Sequence, residues 1–263
     1  MDMSRPVAVI TGASRGIGKQ LCIDMAGAGY DIVAVARSSK ESPSRILPGT
    51  IDETIALARK AGGAELTAIP AALDVRNEAG VQELADRVFS EFGRCDVLVN
   101  NAAIAPPGDT LSLPTDLWRK AMDINVHGPL YFTYYFAPRM IAGASTIINI
   151  SSSAAVAPEF RRASYTATKR ALEALTECMA VELAGKVACN AIRLELSVWS
   201  EGYTSTLPED DFSDMEDPVV MSDAVLWLCR QPLEYTGRVL TIGEMRELGA
   251  VRGVTRIGDR AES

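Results

Sequence analysis

The sequence predicts an α/β fold built on a doubly wound parallel β-sheet of about seven strands, with helices on both faces. Short apolar runs of strand length recur along the chain, and stretches of helical periodicity lie between most of them. The 263 residues, 48% of them hydrophobic, suffice for a packed core, and no Gly-, Ser- or Pro-rich linker divides them. Alternation of this kind requires crossover connections over a buried sheet, so we expect one domain spanning residues 1–263.

The elements follow in order along the chain. Strands are predicted at residues 7–10, 32–36, 66–69, 97–100, 146–150, 187–192 and 238–242. Helices are predicted at residues 16–28, 78–92, 115–140, 164–184 and 218–229. Two polar segments interrupt the alternation: residues 37–50 after the second strand, and the acidic residues 201–218. Long loops in α/β proteins tend to be functional.

Charge and composition exclude several classes of function. The net charge is −8 and no Lys/Arg cluster is present, which argues against nucleic-acid binding. The chain has no apolar run of bilayer length and no signal-peptide core at its N-terminus, so we expect no membrane contact and a cytoplasmic protein. The five cysteines are scattered, which indicates thiols in a reducing compartment. Since His127 is the single histidine, we expect neither a His/Cys metal site nor a Ser-His-Asp triad.

A glycine-rich turn joins the first predicted strand to the first predicted helix. Gly12, Gly16 and Gly18 give the pattern G-x-x-x-G-x-G. Gly12 allows the turn, Gly16 admits a phosphate-bearing ligand, and Gly18 lets the helix pack closely on the strand. The free N–H groups and the dipole of the helix then attract a diphosphate. The turn predicts a dinucleotide site.

The end of the second predicted strand indicates which dinucleotide binds. An acid there holds the ribose 2′-OH of NAD, whereas a base accommodates the 2′-phosphate of NADP. This strand end carries Arg37 and Ser38 and no acid, and Arg15 in the glycine turn could reach the same phosphate. Arg37 could instead be a solvated surface residue. We favour NADP over NAD.

Tyr165 and Lys169 lie four residues apart in a predicted helix, and therefore on one face. A Tyr–Lys pair of this spacing is most often an ordinary surface pair. It can also be catalytic, because an adjacent cation favours the phenolate and lowers the pKa of a tyrosine. The pair alone leaves both interpretations open.

Six motifs together resemble the short-chain dehydrogenase/reductase family, in its single-domain branch with a Rossmann fold. In order they are TGASRGIG from Thr11, LDV from Leu73, NNAA from Asn100, DINVHG from Asp123, NISSSAA from Asn149 and YTATK from Tyr165. A narrower resemblance lies in LPGTI from Leu47, which is similar to a sub-branch with citronellol/citronellal dehydrogenases and hydroxysteroid-dehydrogenase-like proteins.

The resemblance implies a set of site residues. The catalytic group would be Asn125, Ser152, Tyr165 and Lys169. The cofactor-binding group would comprise Gly12, Ser14, Arg15, Gly16, Ile17, Gly18, Arg37, Ser38, Asp74, Val75, Asn101, Ala102, Tyr165, Lys169 and Val198. Tyr165 would exchange a proton with the substrate oxygen, Ser152 would donate a hydrogen bond to that oxygen, and Lys169 would bind the nicotinamide ribose. Asn125 would hold a water in a proton relay.

One stretch departs from the family pattern. Leu194 and Glu195 stand where a Pro-Gly pair usually turns the chain over the nicotinamide. Val198 and Ser200 follow, at positions that the family uses to contact the carboxamide. The departure bears on the placement of these two residues and leaves the catalytic group intact. A substrate loop is expected at about residues 195–218.

The resemblance implies an NADP-dependent oxidoreductase that interconverts an alcohol with a ketone or aldehyde on a small or medium apolar substrate. The alternatives are a catalytically silent NADP-binding regulatory protein and a 3-oxoacyl thioester reductase. A nucleotide-sugar dehydratase or epimerase is disfavoured, since those relatives usually carry a longer C-terminal substrate domain. In the family the long helices pair between subunits, which implies a homodimer or homotetramer. His127 is expected to pack near the cofactor, and Arg161 and Arg162 to be a solvated pair.

Overall fold

The computed structural model describes residues 5–140, 145–204 and 211–259. Its strands are β1 (Val7–Thr11), β2 (Asp31–Ala36), β3 (Ala68–Ala72), β4 (Val97–Asn100), β5 (Ser145–Ser152), β6 (Val187–Leu194) and β7 (Val239–Thr241). They form a seven-stranded sheet in the order β3-β2-β1-β4-β5-β6-β7, with parallel pairing. The predicted α/β fold with a parallel Rossmann-type sheet is confirmed.

The helices are α1 (Gly16–Gly27), α2 (Ile51–Gly62), α3 (Glu78–Phe92), α4 (Thr115–Met122), α5 (Gly128–Phe136), α6 (Ala163–Glu182), α7 (Glu201–Thr204), α8 (Val219–Leu228) and α9 (Ile242–Glu247). The chain divides into two compact units. The first unit comprises Met1–Leu73, Leu196–Arg230 and Ile242–Ser263, and the second unit comprises Asp74–Glu195 and Gln231–Thr241. The single domain expected from the sequence stays a prediction.

The first unit is built around β1, whose five residues are all buried. A strand covered on both faces reads as a continuous apolar run, which is why VAVIT carries no polar alternation. β1 pairs with β2 from Val7 opposite Asp31 to Thr11 opposite Val35, and α1 packs against α2 and α8. α2 was absent from the predicted helices, although its capping box, formed by Thr50 and Glu53, is a recognisable start signal.

The second unit contains the longest strand pairing. β5 and β6 pair over eight residues, from Ser145 opposite Val187 to Ser152 opposite Leu194. Buried polar side chains join two strands of this unit, β4 and β5, to helix α6. The amide of Asn100 donates to Asn149 Oδ1 at 2.9 Å, and the amide of Asn149 donates to Thr176 Oγ1 on α6 at 2.8 Å. This buried chain of hydrogen bonds fixes α6 against the ends of β4 and β5.

The helical stretch predicted over residues 115–140 is continuous in the structure from Thr115 to Arg139, but it changes helix type along its length. The structure has α4, then a π-helical turn over Asp123–His127, then α5 and a short 3₁₀ turn over Ala137–Arg139. Pro129 accounts for the π-helical turn, because it cannot donate an amide hydrogen to the carbonyl of Asn125 four residues earlier. Both polar ends of the Asn125 side chain bond to the backbone of Ile104, at 2.8 and 2.9 Å, which anchors the widened turn.

We expect the polar chain through Asn149 to contribute strongly to stability. Asn149 is 0% exposed, so Asn149→Ala leaves the Asn100 amide without its acceptor, while the Thr176 hydroxyl keeps its bond to the carbonyl of Leu172 at 2.7 Å. At about 1–3 kcal/mol for a buried polar group left unsatisfied, the free energy of unfolding should fall by about 1–3 kcal/mol in urea titration. Gln82→Ala removes an amide from an exposed site on α3 and is the control. An Asn149→Ala variant as stable as Gln82→Ala would contradict this reading.

Candidate active site

The glycine-rich turn has the backbone that its sequence predicts. Gly12 and Gly16 adopt φ angles of 69° and 53°, which disfavour any residue with a Cβ. A Cβ on Gly16 would also lie 2.6 Å from the Cβ of Ser200, closer than such atoms approach. Helix α1 begins at Gly16 with no side-chain cap, and Ser14, Gly16 and Gly18 are buried around its start. Ile17 is the second residue of the helix.

A carboxylate of the chain itself binds at the start of α1. Glu201 accepts a hydrogen bond from the backbone N–H of Gly16 at 2.6 Å, and its other oxygen pairs with the Lys19 ammonium. Burial alone would raise the pKa of Glu201, but the hydrogen bonds from Lys19 and Gly16 outweigh burial and hold the pKa below its usual range. The start of α1 is therefore an anion-binding position, which is the chemistry that a diphosphate requires.

Arg15 reaches from the glycine turn to the segment that follows β2. Its guanidinium donates to the carbonyl of Pro48 at 2.7 Å and to the hydroxyl of Ser38 at 3.1 Å. Burial lowers the pKa of Arg15, the neighbouring Arg37 lowers it further, and Glu201 opposes both. Arg15 thus holds the backbone at Pro48 and Gly49 against the glycine turn. Its guanidinium lies close enough to the exposed Arg37 for the two positive charges to interact.

Gly49 explains the LPGT stretch in the same segment. It adopts a φ of 91°, and a Cβ there would lie 2.4 Å from the carbonyl oxygen of Ser14. Only glycine lets the segment pack this closely on the turn. Sequence reasoning placed residues 37–50 in a polar loop and missed this contact, which links positions more than thirty residues apart.

Asp74 and Val75 open the second unit. The carboxylate of Asp74 is held by Arg76 through two hydrogen bonds, at 2.7 and 3.0 Å. Val75 is buried, and a Cβ on Gly128 would lie 3.0 Å from its methyl group. Asp74 is therefore oriented by Arg76, two residues farther along the chain. The other expected cofactor residues of this unit, Asn101 and Ala102, directly follow β4.

Ser152 and Tyr165 meet at the carboxyl end of β5. Ser152 is the last residue of that strand, and its hydroxyl accepts a hydrogen bond from Ala154 N at 3.3 Å. Burial raises the pKa of Tyr165; a hydrogen bond with Ser152 and the charge of Arg162 oppose the rise, while Glu159 adds to it. The guanidinium carbon of Arg162 lies 5.8 Å from the centre of the Tyr165 ring, so Arg162 belongs to the site and is not merely solvated.

Lys169 is the most buried charge in the second unit's site. Only 3% of the residue is exposed, and its ammonium donates to the carbonyl of Ile150 at 2.6 Å. The ammonium lies 5.5 Å from the centre of the Tyr165 ring. Burial lowers the pKa of Lys169 to about 8, against an opposing effect of Glu173. The expectation that Lys169 lowers the pKa of Tyr165 is not met in the chain by itself, where burial of the phenol dominates.

Asn125 lies next to this group through Thr168. Its amide donates to Thr168 Oγ1 at 2.9 Å, and Thr168 immediately precedes Lys169. Since its remaining side-chain bonds go to Ile104, Asn125 shapes the backbone around the site. His127 pairs with Asp123 at 3.0 Å on the surface of the π-helical turn.

Leu194, where the sequence departs from the family pattern, lies within a strand. Leu194 pairs with Ser152 as the last residue of β6. In the first unit, Val198 bridges to Glu216, and Trp199 N donates to Glu216 O at 2.9 Å. Strand-like pairing therefore fixes the backbone at Val198. Part of the expected substrate loop, residues 205–210, lies outside the described residues.

Glu173, Arg193, Arg162 and Glu201 are site neighbours that sequence reasoning did not assign. Glu173 alone left a local signal, since it follows Lys169 by four residues on the same helix. Within residues 5–140, 145–204 and 211–259, no cluster of three or more His, Cys, Asp or Glu side chains is arranged to hold a metal ion. Over the same ranges, none of the helices has both the length and the apolar character needed to cross a bilayer.

Known proteins resemble this chain in sequence and in structure. Hydroxysteroid dehydrogenase-like protein 2 of Danio rerio is 28% identical over 232 residues, covering 87% of this chain and 55% of that protein. A short chain dehydrogenase of Mycobacterium paratuberculosis bound to NAD superposes with a TM-score of 0.78 at 26% identity, covering 93% and 98% of the two chains. A structure from Shigella flexneri, complexed with NADP, has a TM-score of 0.79 at 20% identity, covering 91% and 98%.

The chain spans about half the length of the curated relatives it matches. The sequence profile of the short chain dehydrogenase family matches residues 6–196, which is more than half of the chain. This match agrees with the resemblance carried by the six motifs and with the parallel sheet of the structure. The chain belongs to the short-chain dehydrogenase family of oxidoreductases.

Proposed function

We propose that the chain is an NADP-dependent oxidoreductase that interconverts an alcohol with a ketone or aldehyde on a small or medium apolar substrate. The observation that carries the proposal is the buried group at the end of β5, in which Tyr165 meets Ser152 on one side and Lys169 on the other. A phenol, a hydroxyl and an ammonium in this arrangement can move a proton to or from an oxygen and stabilise the charge that develops there.

The nicotinamide supplies or accepts the hydride at the substrate carbon. In the reducing direction Tyr165 gives its phenolic proton to the substrate oxygen as that oxygen becomes an alcohol, and in the oxidising direction it takes the proton back. Ser152 donates a hydrogen bond to the same oxygen and so stabilises its developing negative charge. The Lys169 ammonium, near the Tyr165 ring, favours the phenolate once the proton has left. Asn125 supports the group through Thr168.

The residues at the ends of β1 and β2 fit NADP. The start of α1 accepts an anion, as its contact with Glu201 shows, and so suits a diphosphate. Arg37 lies directly after β2 and is near enough to Arg15 to lower the pKa of that arginine, and no acid occupies that strand end. Two guanidinium groups at this end suit a 2′-phosphate better than a 2′-hydroxyl.

Other readings remain distinguishable by experiment. A catalytically silent NADP-binding protein would have no need of a proton donor, whereas the chain keeps Ser152, Tyr165 and Lys169 together. A 3-oxoacyl thioester reductase uses the same chemistry and would differ in the substrate it accepts. We also propose a homodimer or homotetramer; the exposed Leu130 and Tyr134 on α5 and Val181 on α6 supply apolar surface for it.

The proton transfer is tested at Tyr165. Tyr165→Phe removes one oxygen and leaves the packing nearly intact, so folding and NADPH binding should survive. Turnover should fall by at least about 100-fold, the lower end of what a positioned acid contributes. The measurement is consumption of NADPH with a panel of ketones, aldehydes and oxoacyl thioesters, using Tyr30→Phe in the turn between α1 and β2 as the matched control.

A substrate that Tyr165→Phe reduces at nearly the normal rate would refute the assignment of Tyr165. Binding of NADPH by the unaltered chain without turnover of any member of the panel would favour the silent protein. Preference for the thioesters over simple ketones would favour the 3-oxoacyl reductase.

The cofactor preference is tested at Arg37. We expect NADPH to bind at least about 10-fold tighter than NADH, a difference of about 1.4 kcal/mol. Arg37→Asp places a carboxylate where the 2′-phosphate is proposed to bind and should reverse the preference. Arg45→Asp makes the same change of charge at another exposed position of the segment after β2 and should leave it unchanged. Equal dissociation constants for the two cofactors in titrations of the unaltered chain would end the NADP assignment.

Glu201 should weaken cofactor binding. Its carboxylate uses the Gly16 N–H and the Lys19 ammonium, two donors suited to the diphosphate. Glu201→Gln removes the negative charge, so NADPH should bind about fivefold tighter, equal to about 1 kcal/mol for a charge at a helix start. Titration calorimetry measures this, with the exposed Glu41→Gln as control. Weaker binding by Glu201→Gln than by the control would mean that Glu201 assists the cofactor.

A further inference from the structure

A buried carboxylate lies one helical turn beyond Lys169. Glu173 is 7% exposed, on the same face of α6. One of its oxygens accepts from the hydroxyl of Ser151 at 2.6 Å and from Arg193 Nε at 2.9 Å. The other accepts from Arg193 Nη2 at 2.7 Å. Nothing in the proposed chemistry accounts for this carboxylate, and a buried charge requires partners.

Glu173 and Lys169 bind successive residues of the same strand. Lys169 donates to the carbonyl of Ile150, and Glu173 accepts from the side chain of Ser151. Ser152, which bonds to Tyr165, is the next residue. The three last residues of β5 are thus each fixed by a polar group of α6. Along that helix Tyr165, Lys169 and Glu173 follow one another at four-residue intervals.

We propose that Glu173 is a positioning residue for Lys169: its carboxylate keeps the buried ammonium charged and in place, and Arg193 limits how strongly it does so. The carboxylate bonds directly to the guanidinium on β6 and acts through its charge on the ammonium one turn away along its own helix. The inference rests on the proposed function only in the use it gives to Lys169, because the charge of Lys169 can be measured without cofactor or substrate.

The charges around Lys169 support this assignment. On α6 they are Tyr165, Arg162 and Glu173, and β6 contributes Arg193. The π-helical turn also packs on α6 and carries Asp123 and His127, which pair with each other, while α4 brings Asp116, Arg119 and Lys120. Among all of these, Glu173 is the group that raises the pKa of Lys169 against the lowering by burial.

Removing Glu173 and removing its partner Arg193 should therefore shift the pKa of Lys169 in opposite directions. Glu173→Gln leaves two cations without their shared carboxylate, so the pKa of Lys169 should fall further below about 8. Arg193→Gln leaves the whole carboxylate to Lys169, so its pKa should rise above about 8. A carboxylate that only fastened α6 to β6 would lower stability in both variants without opposite effects on the charge of Lys169.

The experiment is a pH titration of the lysine side chains by ¹H–¹³C NMR in the protein without cofactor. The chain has six lysines, and the Lys169 signal is the one lost in Lys169→Arg. We expect Glu173→Gln to shift the Lys169 titration down by about one pH unit or more and Arg193→Gln to shift it up. Glu177→Gln, at an exposed position one turn farther along α6, is the control and should leave it in place.

A Glu173→Gln titration that matches Glu177→Gln, or a shift of the same sign in both test variants, would overturn the proposal. If Glu173→Gln fails to fold, Arg193→Gln decides alone, and an unmoved or lowered titration overturns it. Once a substrate is known, the pH profile of turnover should move with Lys169 in each variant. Opposite NMR shifts together with full turnover by Tyr165→Phe would refute the proposed function and leave this inference standing.

Discussion

The hydrogen bond from the Lys169 ammonium to the carbonyl of Ile150 is the contact on which the second unit's site depends. It is 2.6 Å long, and the lysine is almost wholly removed from solvent. Burying an ammonium is costly, so the surroundings must supply an acceptor and an opposing charge. The end of β5 supplies the acceptor, and Glu173 supplies the opposing charge. Tyr165 and Lys169 lie on the same face of α6, so the bond that holds Lys169 against β5 also holds the Tyr165 phenol there.

The first unit meets the opposite electrostatic problem. Its helix α1 begins without a side-chain cap, so backbone N–H groups at its start need an acceptor. The close packing of Ser200 on Gly16 and of Gly49 on Ser14 requires glycine at both positions. These contacts shape the turn from outside, through segments distant in sequence. In this unit glycine makes room for backbone, while in the second unit charged side chains do the positioning.

Local signals predicted most of the fold and few of the site contacts. The bounds of β4 and α3 were predicted without error, because a short buried run and a periodic stretch between Asn77 and Gly93 are self-contained signals. The π-helical turn inside the predicted helix over residues 115–140 was not anticipated, because it depends on Pro129 and on the bonds of Asn125 to Ile104. The positions of Arg15 and Glu201 could not be read at all, since their partners are set by the tertiary fold. Motif spacing identified Ser152, Tyr165 and Lys169 as a group, but the balance of burial and charge around them needed coordinates.

The contact of Glu201 with Gly16 has a consequence for how the chain responds to ligand concentration. A carboxylate attached to the same chain competes at a fixed effective concentration, often in the millimolar range for short tethers, whatever the amount of protein present. Free anions such as phosphate, if more dilute than that, would seldom displace it from the start of α1. A ligand that also binds the chain at a second point displaces Glu201 more readily. Competition from the tethered carboxylate therefore favours ligands that bind at several points over simple anions.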